Sequence, residues 1–233
     1  MAEKLLVPSI EKRLERLIEI SRRNLGGFSV RDRVKAGPTI TISREFGCEG
    51  YPVSQKLQTL LQEKTGATWE VVDKALFEEV ARNHDFPKDI FNNLGEKNRF
   101  LDDMMSTFSA RWKSEKDYYR LLCRQITAFA AGGNVIVVGR GAAILTQDMP
   151  TCYHFRIVAP MEFKVSSIAK RLNLDSDEAE KLIVRKQRQR DAFIKDFLNR
   201  DVADLTLYHL VFNNAKISSQ QIAKMICHFV MSR

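Results

Sequence analysis

The chain has 233 residues, enough for one domain of ordinary to large size or for one domain with an appendage. Hydrophobic residues make up 44% of it, so it can bury a sizeable core, and 28% charged residues argue against global disorder. No apolar run approaches the roughly 20 residues of a membrane span, and the first residues lack the long apolar run of a signal peptide. We therefore expect a cytoplasmic protein that does not bind membranes.

Cysteine and histidine spacing gives no sign of a disulfide framework or a zinc site. Cys48, Cys123, Cys152 and Cys227 are far apart and form no CxxC pair, which is typical of reduced thiols in the cytosol. The four histidines show no HExxH or similar spacing. We expect no metal site built from side chains.

The net charge of +8 indicates an anionic partner. Residues 1–38 hold nine Lys/Arg against five Asp/Glu, and a second basic cluster lies at Lys181–Arg190. Nucleic acid, an acidic membrane surface and a polyphosphate ligand are all compatible with this charge. Membrane-surface binding is a weaker interpretation, because Glu11, Glu15 and Glu19 dilute the basic face of the N-terminal segment. The sequence has no aromatic-interleaved RNA-binding signature and no zinc-finger spacing, so specific nucleic-acid binding is the weaker interpretation.

Residues 9–24 have apolar residues at helical spacing and predict an N-terminal helix. Gly26-Gly27 and Gly37-Pro38 follow as breaks, so we expect an extension over residues 1–38 and one domain over 39–233. Two roles stay open for the helix: packing on its own domain, or association with a second copy of the chain to form a homo-oligomer.

The rest of the chain alternates short strands with helices. Strands are predicted at 39–43, 70–73, 134–138, 152–158 and 207–212, and helices at 53–64, 74–82, 97–131, 175–198 and 218–232. This alternation predicts an α/β fold with a five-stranded parallel sheet covered on both faces by helices. Ligands should then gather at the carboxyl ends of the strands.

The segment Ser43–Pro52 joins the first strand to a helix through a loop with two glycines. In this layout backbone N–H groups and a helix N-terminus can hold an anion. The loop is not a GxxxxGK[ST] sequence. Taken alone it is a weak signal, and a simple structural turn is the alternative.

Several sequence blocks resemble the bacterial cytidylate kinase-like proteins. They are ITISREFG with G-x-x-V after it, VVDKALFEEVA (71–81), NVIVVGRGAAIL (134–145), DEAEKLIVRKQRQRDAFIKDF (177–197) and YHLVFNN (208–214), in the family's order. The resemblance implies a P-loop kinase fold of the nucleoside monophosphate kinase type. It also implies transfer of a phosphoryl group from ATP, with Mg²⁺, to CMP, dCMP or a related phosphate-bearing small molecule.

Three arginines are the catalytic candidates that the resemblance implies: Arg44, Arg140 and Arg190. Arg44 matches the family's Ser-Arg-Glu and could replace the usual P-loop lysine; the alternative is a surface arginine paired with Glu45. Arg140, in Gly-Arg-Gly, resembles the Gly-Arg-Asp in which the arginine meets the acceptor nucleotide. A guanidinium can hold a phosphate there through two parallel hydrogen bonds.

Further site residues follow from the same resemblance. In the phosphate loop they are Ser43, Gly47, Cys48 and Gly50; in the lid they are Arg185 and Arg188; at the acceptor they are Asp73 and Lys74. Each has an ordinary alternative. The glycines serve turn geometry, Asp73 caps a helix, and the lid arginines form a solvated helix face.

The loop departs from the family pattern at Cys48, Glu49, Tyr51 and Pro52. A carboxylate about 4 Å from a phosphate costs several kcal/mol at an effective dielectric near 20. Glu49 therefore points outward, pairs with an arginine such as Arg44, or impairs nucleotide binding. The last possibility keeps a second function open, a catalytically degenerate kinase-fold protein that binds nucleotides or anions as a regulatory module.

Overall fold

The computed structural model describes residues 10–25, 37–77 and 113–233. Its helices are α1 (Ile10–Leu25), α2 (Gly50–Thr65), α3 (Lys113–Gly132), α4 (Ala142–Leu145), α5 (Met161–Leu172), α6 (Ser176–Leu198) and α7 (Ser219–Met231). Its strands are β1 (Thr39–Arg44), β2 (Glu70–Val72), β3 (Val135–Val138), β4 (Cys152–Val158) and β5 (Leu210–Asn213). None of the helices in these ranges is long and apolar enough to cross a membrane.

The five strands form one parallel sheet in the order β2-β3-β1-β4-β5. The predicted fold class is confirmed. β1 lies in the centre, with Ile42 opposite Val138 of β3 and Phe155 of β4. The chain leaves β1 and β3 toward opposite faces of the sheet, because α2 and α4 pack in different core clusters. The crevice between the carboxyl ends of β1 and β3 is thus where such sheets place ligands.

Alternation along the buried strands sends neighbouring side chains into two separate cores. In β3, Val135 and Val137 belong to the cluster covered by α1, α3, α4 and α6. Ile136 and Val138 belong to the opposite cluster, covered by α2 and α7. Helices on both faces explain why these strands are continuously apolar.

The N-terminal helix packs on its own domain. Leu14 and Leu17 are buried in the same cluster as residues of α3 and β3. Ile10 and Ile18 are partly buried against that cluster. The first of the two roles expected for this helix is therefore observed, while the domain boundary at residue 38 and a homo-oligomer stay predictions.

Several element boundaries differ from those expected. Helix α5 was not predicted, because only one of its 12 residues, Ile168, is buried. The last strand begins at Leu210 rather than at 207, because Asp204 accepts a hydrogen bond from the Thr206 N–H and holds a short 3₁₀ turn there. Helix α6 begins near the expected residue 175, where the Asp175 side chain accepts a hydrogen bond from the Glu178 N–H and caps the helix. Of the predicted helices, residues 78–82 and 97–112 lie outside the described ranges.

Candidate active site

A cavity of about 390 Å³ opens at the carboxyl ends of β1, β3 and β4. Its described lining includes one acidic side chain, Asp191, and six basic ones: Arg44, Lys74, Arg140, Arg156, Lys186 and Arg190. Such an excess of cations around one concave space favours an anionic ligand. The three arginines expected to be catalytic are among them.

Arg44 ends β1 and crosses the crevice toward β3. A Cβ atom at Gly139 would collide with Arg44 Nη1, and one at Gly50 would lie 2.9 Å from Arg44 Cγ. Both glycines therefore leave room for the Arg44 side chain. The alternative pairing of Arg44 with Glu45 is wrong, because Glu45 Oε2 accepts a hydrogen bond from Lys164 Nζ at 2.9 Å.

The guanidinium groups of this cluster repel one another. Burial, followed by the charges of Arg190 and Arg140, lowers the pKa of Arg44 to about 9, while Asp73 acts in the opposite direction. Burial also lowers the pKa of Arg190, again with a contribution from Arg140. In the described part of the chain, no carboxylate lies within ion-pair distance of Arg44 or Arg190. A bound anion would relieve this repulsion.

Two aromatic rings support the cluster from the sides. The guanidinium carbon of Arg140 lies 5.3 Å from the centre of the Phe193 ring. That of Arg190 lies 4.9 Å from the centre of the Phe46 ring. Such cation–π contacts engage the face of a guanidinium, whereas its hydrogen-bond donors point along its edge.

The backbone at Arg140 is held in a sparsely populated conformation. Gly139, Arg140 and Gly141 have φ angles of 78°, 57° and 72°. The left-handed region favours glycine, so Arg140 carries strain of the kind found at ligand-binding sites. The turn directs the chain from β3 into α4 and places Arg140 on the cavity wall.

Arg156 was not predicted as a site residue. It lies in β4, and its Nη1 donates to the Val202 carbonyl oxygen at 2.6 Å and to Ser43 Oγ at 3.3 Å. Its guanidinium also lies 5.6 Å from the Tyr208 ring. Ser43, expected in the phosphate loop, thus lines the cavity and accepts a bond from Arg156. A single charged residue inside the apolar strand CYHFRIV was the available signal.

Two backbone N–H groups of the loop after β1 are bound by side chains from distant parts of the chain. The Phe46 N–H donates to Gln187 Oε1 at 2.8 Å, and the Glu49 N–H donates to Asn214 Oδ1 at 2.8 Å. Gln187 belongs to α6, and Asn214 follows β5. These two amides are occupied, so an anion would need the loop's other donors.

The remaining loop residues divide between packing and possible anion binding. Gly47 has φ of 100° and lies against the Lys164 side chain, where an added Cβ would come within 2.7 Å. Cys48 is buried, and burial followed by the charge of Glu45 raises its thiol pKa to about 12. Among the described residues, no acceptor binds the N–H groups of Gly47, Gly50 or Tyr51.

The expected acceptor residues lie at the end of β2. Lys74 lines the cavity. Asp73 does not line it; its Oδ1 accepts from the Leu76 N–H at 3.1 Å and from Arg13 Nη2 at 3.2 Å. Asp73 therefore caps the helical turn at residues 74–77, as its alternative role required.

Of the basic residues proposed on α6, one faces the loop. Arg190 lines the cavity and its Nη1 donates to the Arg44 carbonyl oxygen at 3.4 Å. Arg185 and Arg188 are exposed and are not part of the cavity lining. The structure thus brings Arg44, Arg140 and Arg190 together and leaves Arg185 and Arg188 on the solvent side.

A model of the cytidylate kinase-like family matches residues 39–216. The chain belongs to this family. The expectation drawn from the sequence blocks is confirmed, and α1 lies outside the matched region.

Individual relatives are more distant. A cytidylate kinase from Methanocaldococcus jannaschii is 29% identical over 114 residues, 48% of this chain and 64% of the relative. One from Methanopyrus kandleri is 26% identical over 165 residues, 67% of this chain and 83% of the relative. The chain thus spans just under two thirds of the length of the Methanocaldococcus jannaschii relative. An uncharacterized protein from Eubacterium ventriosum shares the fold, with a TM-score of 0.61 at 18% identity, over 84% of this chain and 99% of that one.

The residues of this cytidylate kinase-like chain fit phosphate better than they fit a caged metal. The arginine cluster offers planar donors for phosphate oxygens. The described ranges contain no group of three or more metal-ligating side chains, and Pro52 offers no hydroxyl at the start of α2. Mg²⁺ in nucleotide kinases is held largely by substrate phosphates and water, so a magnesium–nucleotide complex remains compatible with these side chains.

Proposed function

We propose that this protein transfers a phosphoryl group from ATP to a nucleoside monophosphate, with CMP or dCMP as the favoured acceptors. The observation that carries the proposal is the convergence of Arg44, Arg140 and Arg190 on one cavity with a large excess of positive charge. Phosphoryl transfer depends mainly on positioning and on neutralising negative charge, and guanidinium groups provide both.

Each arginine has a separate role in this proposal. Arg44, between the loops after β1 and β3, stabilises the charge on the group in transit. Arg140 holds the acceptor phosphate, and Arg190 closes the site from α6. Magnesium-bound ATP supplies the phosphoryl group when it is bound. The N–H groups of Gly47 and Gly50 are the donors suited to its phosphates.

The positive charge of the cavity favours a small phosphorylated ligand over nucleic acid. Six basic side chains line one concave space of about 390 Å³ instead of an extended surface. That volume suits a small molecule. We accordingly propose a cytoplasmic enzyme with a nucleotide substrate, without specific nucleic-acid or membrane binding.

A second candidate is an anion- or nucleotide-binding module without turnover. It is favoured by the Gln187 side chain, which occupies the Phe46 N–H in the loop. The departures from the family's loop pattern at Glu49, Tyr51 and Pro52 also favour this candidate. A module of this kind would bind ATP or phosphate through the same arginines and form no product.

A transfer assay with ATP, Mg²⁺ and the common monophosphates distinguishes these functions. We expect Arg190→Ala to lower kcat/KM by roughly 10²–10³, as for the loss of one charge-stabilising donor. Arg188→Ala is the matched control on the same helix and should stay within about twofold of the wild type, because it is exposed and off the cavity.

Two results would contradict the proposed activity. Absence of product from every monophosphate, with ATP still binding, would favour the binding module. Absence of both product and ATP binding would remove both candidates.

A further inference from the structure

Arg13 of α1 binds the carboxylate of Asp73. Arg13 lies outside residues 39–216, the region that matches the family model. Arg13 is only 5% exposed. Its Nη2 donates to the Val71 carbonyl oxygen at 2.8 Å and to Asp73 Oδ1 at 3.2 Å, and its Nε lies 3.5 Å from Glu70 Oε1. One buried guanidinium therefore binds the backbone of β2 and two carboxylates.

Asp73 lies beside the arginine cluster although it does not line the cavity. The Arg44 side chain crosses Gly139, which follows β3, and β3 is the strand between β1 and β2. Lys74, the next residue after Asp73, lines the same cavity as Arg44. The charge of Asp73 also acts on Arg44 and favours its protonated form. Asp73 is thus hydrogen-bonded to the guanidinium of Arg13 and acts electrostatically on that of Arg44.

We propose that Arg13 is a positioning residue that holds the Asp73 carboxylate on the α1 side and so keeps the Arg44 guanidinium available for phosphate. This inference rests on the proposed function in one respect, the role of Arg44 in binding an anion. It adds a residue from α1, outside residues 39–216, to the determinants of the site.

The physical reason is competition for one guanidinium. A carboxylate and a phosphate both bind arginine through paired hydrogen bonds. Without Arg13, Asp73 would lose the guanidinium that lies 3.2 Å from its Oδ1. The Asp73 side chain would then rotate toward Arg44, because an ion pair with Arg44 would compensate the charge of the carboxylate. Phosphate would then have to displace an internal ion pair before it could bind Arg44.

The inference can be tested without turnover, by calorimetric titration of the full chain with inorganic phosphate at fixed ionic strength. We expect Arg13→Gln to lower phosphate affinity roughly fivefold, the scale of one partly screened ion pair. Arg16→Gln is the matched control: Arg16 lies one turn away and contacts Glu70 at 3.7 Å without contacting Asp73. It removes the same charge and should change the affinity less than twofold.

The variant Asp73→Asn shows whether Arg13→Gln acts by releasing the Asp73 carboxylate or by destabilising the fold. Asparagine can still cap the turn at Leu76 but carries no charge. The double variant R13Q/D73N should bind phosphate as tightly as D73N alone, because the competing carboxylate is gone. A loss of folding would not be repaired in this way. If R13Q does not fold, Arg13→Lys is used, with a smaller loss that D73N should again reverse.

Three outcomes would overturn the inference. R13Q could bind phosphate as tightly as the wild type, or its loss could persist in the D73N background. The wild type could also fail to bind phosphate, which would remove the role of Arg44. By contrast, phosphate binding with the expected R13Q and D73N effects but without any phosphoryl transfer would contradict only the proposed enzyme activity.

Discussion

At the scale of single residues, the site depends on glycines, which have no side chain to block their neighbours. Arg44 can cross the crevice because Gly139 and Gly50 leave its path open. Gly139 also has a φ of 78°, which other residues adopt only with strain. The glycines of this site therefore contribute by shaping the approach of a cation as well as the approach of a phosphate.

Substitution at Gly139 tests this role. We expect Gly139→Ala to lower the free energy of unfolding by about 2 kcal/mol and phosphate affinity by roughly tenfold, because the new Cβ displaces the Arg44 guanidinium. Gly66→Ala is the control, since Gly66 has a similar φ of 66° with no atom within 4 Å of an added Cβ. It should cost about 1 kcal/mol through strain alone. Equal phosphate affinity in both variants, measured by calorimetry, would rule out the displacement.

At the scale of elements, α6 is joined to the loop after β1 through several contacts. Gln187 Oε1 accepts from the Phe46 N–H, and Arg190 contacts both the Phe46 ring and the Arg44 carbonyl. The helix spans 23 residues, and these contacts come from its central residue, Gln187, and from the turn that follows it. The loop conformation should therefore depend on the position of α6.

Gln187→Ala should loosen that connection. Loss of one hydrogen bond worth about 1 kcal/mol predicts roughly fivefold faster hydrogen exchange at the Phe46 amide, followed by NMR. Gln189→Ala is the control on the same helix, because Gln189 lines the cavity and makes no hydrogen bond to the loop. Unchanged exchange at Phe46 in the Gln187 variant would show that the loop holds its shape without α6.

At the scale of the whole molecule, a buried histidine connects stability to pH. His154 lies in β4 with its Nδ1 2.8 Å from Thr41 Oγ1 of the neighbouring strand. Burial, and then His209, lower the pKa of His154 to about 4. The unfolded chain therefore binds a proton between pH 6.5 and 4 that the folded chain excludes, and stability falls as the pH falls through this range.

We expect the free energy of unfolding to decrease by as much as about 3 kcal/mol between pH 6.5 and 4 through this histidine. Denaturant titrations at several pH values measure it. His154→Asn should lower stability at pH 7 but flatten the acid dependence, whereas His228→Asn, at an exposed position, should leave the dependence unchanged. Parallel pH curves for the wild type and His154→Asn would assign the acid sensitivity to other groups.

The sequence was sufficient for the parts of the molecule that local pattern determines. Short runs of β-branched, aromatic and other apolar residues located all five strands, and the parallel arrangement then brought Arg44 and Arg140 to one edge. It did not reveal contacts between distant segments. Phe46 and Gln187 are 141 positions apart, and Glu49 and Asn214 are 165 apart. The apolar spacing of residues 9–24 did not single out Arg13, because the burial of this arginine depends on the position of β2.

The four thiols are all buried, and burial raises the pKa of each. Oxidants and alkylating agents react with thiolates, and these thiols form few of them. Cys48 therefore gives the turn after β1 no reactive sulfur, although it lies in the middle of that turn. Peroxide or disulfide stress would leave the charge and shape around Arg44 unaltered as long as the chain stays folded.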